Sequence, residues 1–177
     1  MLENKIIKKI IEFNKPITIE KYIQLCLNGE FGYYNNSIAI GKKGDFITSP
    51  EISQLFGEIL GLFIYLFWDK NIKKNFNLVE LGPGKGTLLI DILNIAKNYN
   101  KFFTSISLHL VEQNKLLIKE QKKNLKKIKI YAKDIKWLKS FNISNNHSTI
   151  IFANEFFDCL PIRQFFKKNI DWYEKMI

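Results

Sequence analysis

The sequence predicts a doubly wound α/β fold: a parallel sheet with helices on both faces, preceded by a helical N-terminal extension. Three observations carry that reading. From about residue 76 short apolar runs alternate with amphipathic stretches. A turn bearing Gly82, Gly84 and Gly86 joins the first of these runs to the first helix. A second apolar run closes on an acid, Glu112, one strand-helix-strand unit after Glu80. Strand and helix alternating at this pitch imply right-handed crossovers between parallel strands, with a ligand outside the carboxyl ends of the strands.

Each element follows from its own pattern. Residues 5–13 and 19–27 carry apolar side chains at helical spacing, the second set after Pro16 and Thr18. Residues 29–44 are Gly-rich and aromatic, which predicts a loop or a short hairpin. At Thr48-Ser49-Pro50-Glu51 a hydroxyl N-cap, a proline in the first turn and an acid near the positive dipole end open a helix expected to run to about Trp68. Residues 76–81, 106–111, 128–131 and 149–153 read as strands, with helices over 87–97 and 115–125. The last strand the pattern offers lies near 170–177. The change of character near residue 75 divides the chain into a helical extension, 1–75, and an α/β domain, 76–177.

Composition narrows the function classes. The longest apolar stretch, residues 59–68, is well short of the roughly 18 residues a membrane span needs, so no membrane insertion is expected. The first residues hold an early acid and no arginine, unlike a targeting peptide, which points to a cytoplasmic address, or the mitochondrial matrix in a eukaryote. The net charge of +10 invites a nucleic-acid partner, but Arg163 is the sole arginine. The lysines occur throughout beside abundant Ile and Asn, so compositional bias explains them and no nucleic-acid partner is expected. Cys26, Cys159, His109 and His147 share no metal-ligand spacing, so no metal is expected.

The glycine turn, Glu80-Leu81-Gly82-Pro83-Gly84-Lys85-Gly86-Thr87, discriminates between ligand classes. A Walker phosphate loop needs lysine after the last glycine, whereas Lys85 precedes it. A dinucleotide fingerprint would need glycine at Thr87. The remaining pattern, Glu-x-Gly-x-Gly-x-Gly, resembles the first motif of class I S-adenosylmethionine-dependent methyltransferases. The resemblance implies that Glu80 supports the amino acid part of the cofactor and that Gly82, Gly84 and Gly86 pack against it. A Gly-rich turn with no ligand is the alternative. Glu112 stands where a carboxylate can accept both ribose hydroxyls. Asp134 is placed either to accept from the adenine amino group or to serve as a loop or helix cap.

Longer motifs are more specific. Gly32-Tyr33-Tyr34, the run from Gly44-Asp45-Phe46 through Ser49-Pro50-Glu51 to Gly57-Glu58, the glycine motif itself, and Asn154-Glu155-Phe156-Phe157-Asp158-Cys159-Leu160-Pro161-Ile162-Arg163 together resemble the MidA-like methyltransferase family. The resemblance runs from about Tyr22 to the last residue. It implies a class I, Rossmann-like fold and methylation, with S-adenosylmethionine, of a protein arginine in a subunit of the NADH-quinone oxidoreductase, respiratory complex I, during assembly. Residues 44–58 would then lie over the cofactor as a lid, with Asp45 and Ser49 or Glu51 as polar contacts. Glu155 would clamp the substrate guanidinium, Asn154 would orient substrate or cofactor, and Asp158 would join them at the carboxyl end of the fourth strand. A turn whose Phe156, Phe157 and Leu160 only fill core is the alternative for that run. Family members are usually about twice this length, so the sheet is expected to be truncated at the C-terminus. A truncated, inactive module that binds cofactor or a partner is the competing function, and oligomeric state is not encoded legibly.

Overall fold

The computed structural model describes residues 2–36, 45–127, 135–143 and 147–177. In chain order the elements are α1 (Leu2–Glu12), α2 (Ile19–Ile23), α3 (Tyr33–Asn36), α4 (Ser49–Ile52), α5 (Gln54–Asn71), β1 (Phe76–Leu81), α6 (Thr87–Ala96) and α7 (Asn100–Ser105). There follow β2 (Ile106–Val111), α8 (Lys115–Lys127), β3 (Ile135–Leu138), β4 (Ser148–Ala153), β5 (Phe165–Lys168) and β6 (Asp171–Glu174). Among the described residues no helix is long and apolar enough to cross a membrane.

The chain forms two compact units, residues 39–155 and residues 1–38 with 156–177, so its contacts divide it elsewhere than at residue 75. In the second of these units the ends of the chain are tied together. Ile17 N–H donates to Ile177 O at 3.0 Å, and Ile177 N–H returns the bond to Ile17 O at 2.8 Å. Thr18 Oγ1 accepts from Lys21 N–H at 3.1 Å and caps α2, whose last turn widens into a π-helix, Gln24–Asn28. The segment expected as loop or hairpin holds the helical turn α3, and its residues 37–44 lie outside the described residues. β5 and β6 pair as an antiparallel hairpin in a sheet of their own, so the strand expected near 170–177 does not extend the parallel sheet. Beside the hairpin, Arg163 holds Glu174 in a two-pronged ion pair, 2.9 and 2.8 Å.

The other unit contains the four-stranded sheet, order β3-β2-β1-β4, with every pairing parallel. β1 is central because its apolar run tolerates burial on both faces, and Phe76, Leu78 and Val79 are all buried. Both crossovers, β1 to β2 through α6 and β2 to β3 through α8, step the same way along the sheet, so right-handed connections place both helices on one face. There Leu88, Leu89, Ile92 and Leu93 of α6 and Leu125 of α8 join Leu78, Leu108 and Leu110 in one core. Phe102 of α7 fills its end, stacked on Phe76 with centroids 5.8 Å apart and tilted against Trp68 at 5.3 Å. Burying a side chain of this size contributes about 2–3 kcal/mol and anchors this six-residue helix to the core.

The helix expected from Ser49 to Trp68 is two helices. Ser53 is extended, φ −143° and ψ 118°, and separates α4 from α5. Each piece has its own anchor. Gly57 and Gly61 bring α5 against α6 so closely that an added Cβ would stand 2.5 Å from Asp91 Cβ and 3.0 Å from Ile92 Cα, respectively. On α4, Glu51 Oε1 accepts from Thr87 Oγ1 at 2.5 Å. Thr48 makes no side-chain cap, so the hydroxyl N-cap expected there is absent. The strand expected at 128–131 falls outside the described residues, and the strand beside β2 is Ile135–Leu138.

Candidate functional site

β1 ends at Leu81, and the chain then turns through three glycines with positive φ, Gly82 at 62°, Gly84 at 53° and Gly86 at 80°. Such a left-handed path costs a residue with a Cβ roughly 1–2 kcal/mol at each step, which accounts for the alternate glycines. Gly86 N–H donates to Pro83 O at 2.7 Å and closes the turn, and Gly86 then serves as N-cap of α6 with no side-chain cap bond. The helix therefore starts with main chain, not a side chain, facing whatever sits before it.

Around this turn an open cleft is lined by Thr48, Pro50, Glu51, Glu80, Gly82 to Lys85, Thr87, Leu88, Asn154 and Glu155. Glu80 is only 3% exposed, and burial pushes its carboxyl up to about 8. Its Oε2 has no hydrogen-bond partner among the described residues. Opposite, Lys85 Nζ lies 3.9 Å from Glu51 Oε2, so Glu51 ties α4 to the turn through both Lys85 and Thr87. Asp91, one turn after Thr87, is buried with Oδ2 unpartnered among the described residues. Its carboxyl is raised to about 6 by burial first, then by Glu58 and Glu51.

Asn154 and Glu155 follow β4 directly. Glu155 has φ +49°, a left-handed conformation that a β-carbon disfavours. That bend carries its carboxylate to α4, where Oε1 accepts from Ser49 N–H at 3.3 Å and from Asn154 Nδ2 at 3.4 Å. Glu112 leaves β2 with Oε1 accepting from Gln113 N–H at 2.9 Å and Asn114 N–H at 2.8 Å. Burial raises its carboxyl, against the opposing pull of the Asn114 and Gln113 amides and Gln121.

The structure thus gathers Glu80, Gly82, Gly84, Asn154 and Glu155 on one cleft and adds Thr48, Glu51, Lys85 and Thr87. Ser49 contributes its main-chain amide. Asp45 is exposed ahead of α4 and does not line the cleft. Asp158 stands exposed on the 3-10 turn Phe157–Cys159 of the other unit. Asp134 lies outside the described residues. The sequence reading passed over Gln121, Asn124 and Trp137. Gln121 Nε2 donates to Gly84 O at 2.7 Å, and Asn124 Nδ2 to Lys85 O at 3.2 Å. The available signal was a polar residue in the apolar stripe of α8, between Leu117 and Leu125.

The family model described as "Putative S-adenosyl-L-methionine-dependent methyltransferase" matches residues 59–177. The chain belongs to that methyltransferase family. It is 38% identical to the protein arginine methyltransferase NDUFAF7, mitochondrial, of Bos taurus, over 100% of this chain and 44% of that protein. It is 36% identical to the mitochondrial NDUFAF7 homolog of Caenorhabditis elegans, over 93% of this chain and 43% of that one. The chain spans less than half the length of the curated relatives it matches. The crystal structure of a COG1565 superfamily member from Burkholderia thailandensis bound to S-adenosyl-homocysteine superposes with a TM-score of 0.77, at 21% identity, over 99% of this chain and 46% of that one. The class I, Rossmann-like expectation and the MidA-like resemblance are thereby confirmed.

The residues around the glycine turn fit S-adenosylmethionine on their own chemistry. A buried carboxyl with an unsatisfied oxygen at a glycine turn matches a ligand that brings an ammonium and hydrogen-bond donors. A phosphate would meet repulsion there once Glu80 ionised.

Proposed function

We propose that this chain carries the cofactor half-site of an S-adenosylmethionine-dependent protein arginine N-methyltransferase whose target is a subunit of the NADH-quinone oxidoreductase. The observation that carries the reading is one cleft shared by the orphaned carboxyl of Glu80 at the glycine turn and the bent-back carboxylate of Glu155. The names of the Bos taurus and Caenorhabditis elegans relatives support arginine as the acceptor and a mitochondrial setting for a eukaryotic protein. A bacterial protein would act in the cytoplasm.

Bound S-adenosylmethionine supplies an electrophilic sulfonium methyl group. Glu80 would accept from the ammonium of its amino acid part, Gly82 and Gly84 would let it lie against main chain, and Glu112 would hold the ribose. Ser49, the first residue of α4, would add its main-chain amide through Glu155. A guanidinium is cationic and a poor nucleophile, so it must be gripped, aligned and relieved of a proton as the nitrogen-carbon bond forms. Glu155 would do this, with Asn154 fixing its carboxylate.

Calorimetry with S-adenosylhomocysteine followed by incubation with labelled S-adenosylmethionine and the oxidoreductase subunit tests the reading. Binding and label on arginine are expected. Absence of binding refutes the cofactor assignment, whereas binding without label refutes arginine transfer and leaves a cofactor-binding module.

A further inference from the structure

Gln121 on α8 is fully buried, and all of its amide atoms are engaged by groups that belong to the glycine turn, β2 or β3. Its Oε1 accepts from the Trp137 indole N–H at 2.8 Å, while Nε2 donates to Gly84 O at 2.7 Å and reaches Glu112 Oε2 at 3.5 Å. The orientation of the amide is unambiguous. An indole N–H can only donate and a peptide carbonyl can only accept, so the oxygen faces Trp137 and the nitrogen faces Gly84. Turning the amide over would break both bonds.

The consequence reaches the cleft. A trans peptide unit points its C=O and N–H in opposite directions, so holding Gly84 O toward α8 turns the Lys85 N–H away from it. Asn124, one turn later on the same helix, holds Lys85 O and fixes the next peptide in the same manner. The Nε2 that sets the turn also reaches the second-strand acid, and Glu112 Oε1 is already fixed by two main-chain amides.

We propose that Gln121 is a positioning residue that locks the glycine turn and Glu112 in one mutual register, and so governs cofactor affinity without touching the cofactor. The proposal rests on the cofactor reading above and adds to it a residue that lines no part of the cleft. Such a residue acts by preorganisation. Its loss frees the turn to sample other peptide orientations, and binding must then re-impose the right one.

S-adenosylhomocysteine affinity is measured by calorimetry on the parent chain, Gln121→Leu and Gln121→Glu. Gln121→Leu is expected to bind on the order of tenfold more weakly, the equivalent of one lost buried hydrogen bond. Gln121→Glu is expected to bind more tightly than Gln121→Leu near about pH 5.5, where a buried carboxyl carries a proton and can donate to Gly84 O from the same place, and to lose that advantage near about pH 8. Glutamate keeps the shape of glutamine at either pH, so a role in packing alone would give no such difference between the two. Gln121→Leu binding as tightly as the parent, or Gln121→Glu as weak as Gln121→Leu at about pH 5.5, overturns the proposal while leaving the cofactor reading intact. Should Gln121→Leu fail to fold, Trp137→Phe removes the indole N–H that orients the amide, along with part of the ring's packing, and parent affinity in that variant overturns the proposal equally. Absence of binding by the parent refutes the cofactor reading, and this proposal with it.

Discussion

Replacing Glu80 by Gln should strengthen the fold and weaken the cofactor site at the same time. Glu80 sits on the central strand with its carboxyl raised by burial from 4.5 to about 8. A raised carboxyl means that the folded state holds a proton the unfolded chain has released. Stability is therefore full below about pH 4.5 and declines as pH climbs through 8. Each pH unit in that window costs about 1.4 kcal/mol, so by pH 7 the fold carries a penalty of about 3 kcal/mol for keeping Glu80 protonated. Glutamine has nearly the same shape and no proton to hold. Urea denaturation of parent and Glu80→Gln at about pH 5, 6, 7 and 8 should show the variant's advantage growing from near zero toward about 3 kcal/mol at pH 7. Calorimetry should show the reverse for the ligand, with S-adenosylhomocysteine affinity reduced at least tenfold by loss of the anion facing its ammonium. In the parent, binding near pH 7 should release almost one proton, seen as a heat that varies with the buffer's ionisation enthalpy. An advantage that does not grow with pH would refute the burial argument. Parent-like affinity in Glu80→Gln, or binding without proton release, would refute the ammonium's placement.

Gly84→Val should abolish detectable cofactor binding and cost about 1–2 kcal/mol of stability, because a branched side chain must adopt φ +53° where a ligand touches main chain; a retained calorimetric signal would count against the turn. Glu155→Gly should raise stability by about 1 kcal/mol through relief of its left-handed backbone and yet suppress methyl transfer, as judged by thermal melts beside a labelled-methyl assay; undiminished transfer would remove Glu155 from the chemistry. Gly61→Val should destabilise by about 1–3 kcal/mol, since its Cβ would stand 3.0 Å from the main chain of α6, and an unchanged denaturation midpoint would contradict the close helix crossing.

The legible part of the fold was the part governed by local pattern. β1, α6, β2 and α8 could be read because each is a clean periodic run bounded by turn residues, and right-handed crossovers then leave few ways to assemble them. Where two segments carry the same alternation, periodicity cannot choose. Ile128-Lys129-Ile130-Tyr131, outside the described residues, and Ile135-Lys136-Trp137-Leu138 both suit a strand, and only pairing with β2 shows the second to be one. The break at Ser53 was equally hidden, since α4 is set by Glu51 reaching Thr87 and α5 by two glycines meeting α6, contacts 30 or more residues away in sequence. The glycine turn announced itself through residue type and spacing. Gln121 did not, because a lysine-rich helix draws attention to its charges, while the one amide on its apolar stripe is what meets Gly84. The backbone bend at Glu155 has no signature at all in a residue type that rarely adopts it.

The order of strands also distributes mechanical security unevenly. β1, which delivers Glu80 and the glycine turn, is laced to a neighbour on each side, whereas β4, which delivers Asn154 and Glu155, has a single partner among the described residues. A strand held on one edge breathes at lower cost than one held on both. Gentle warming would then release β4, with Asn154 and Glu155, before β1 and the glycine turn.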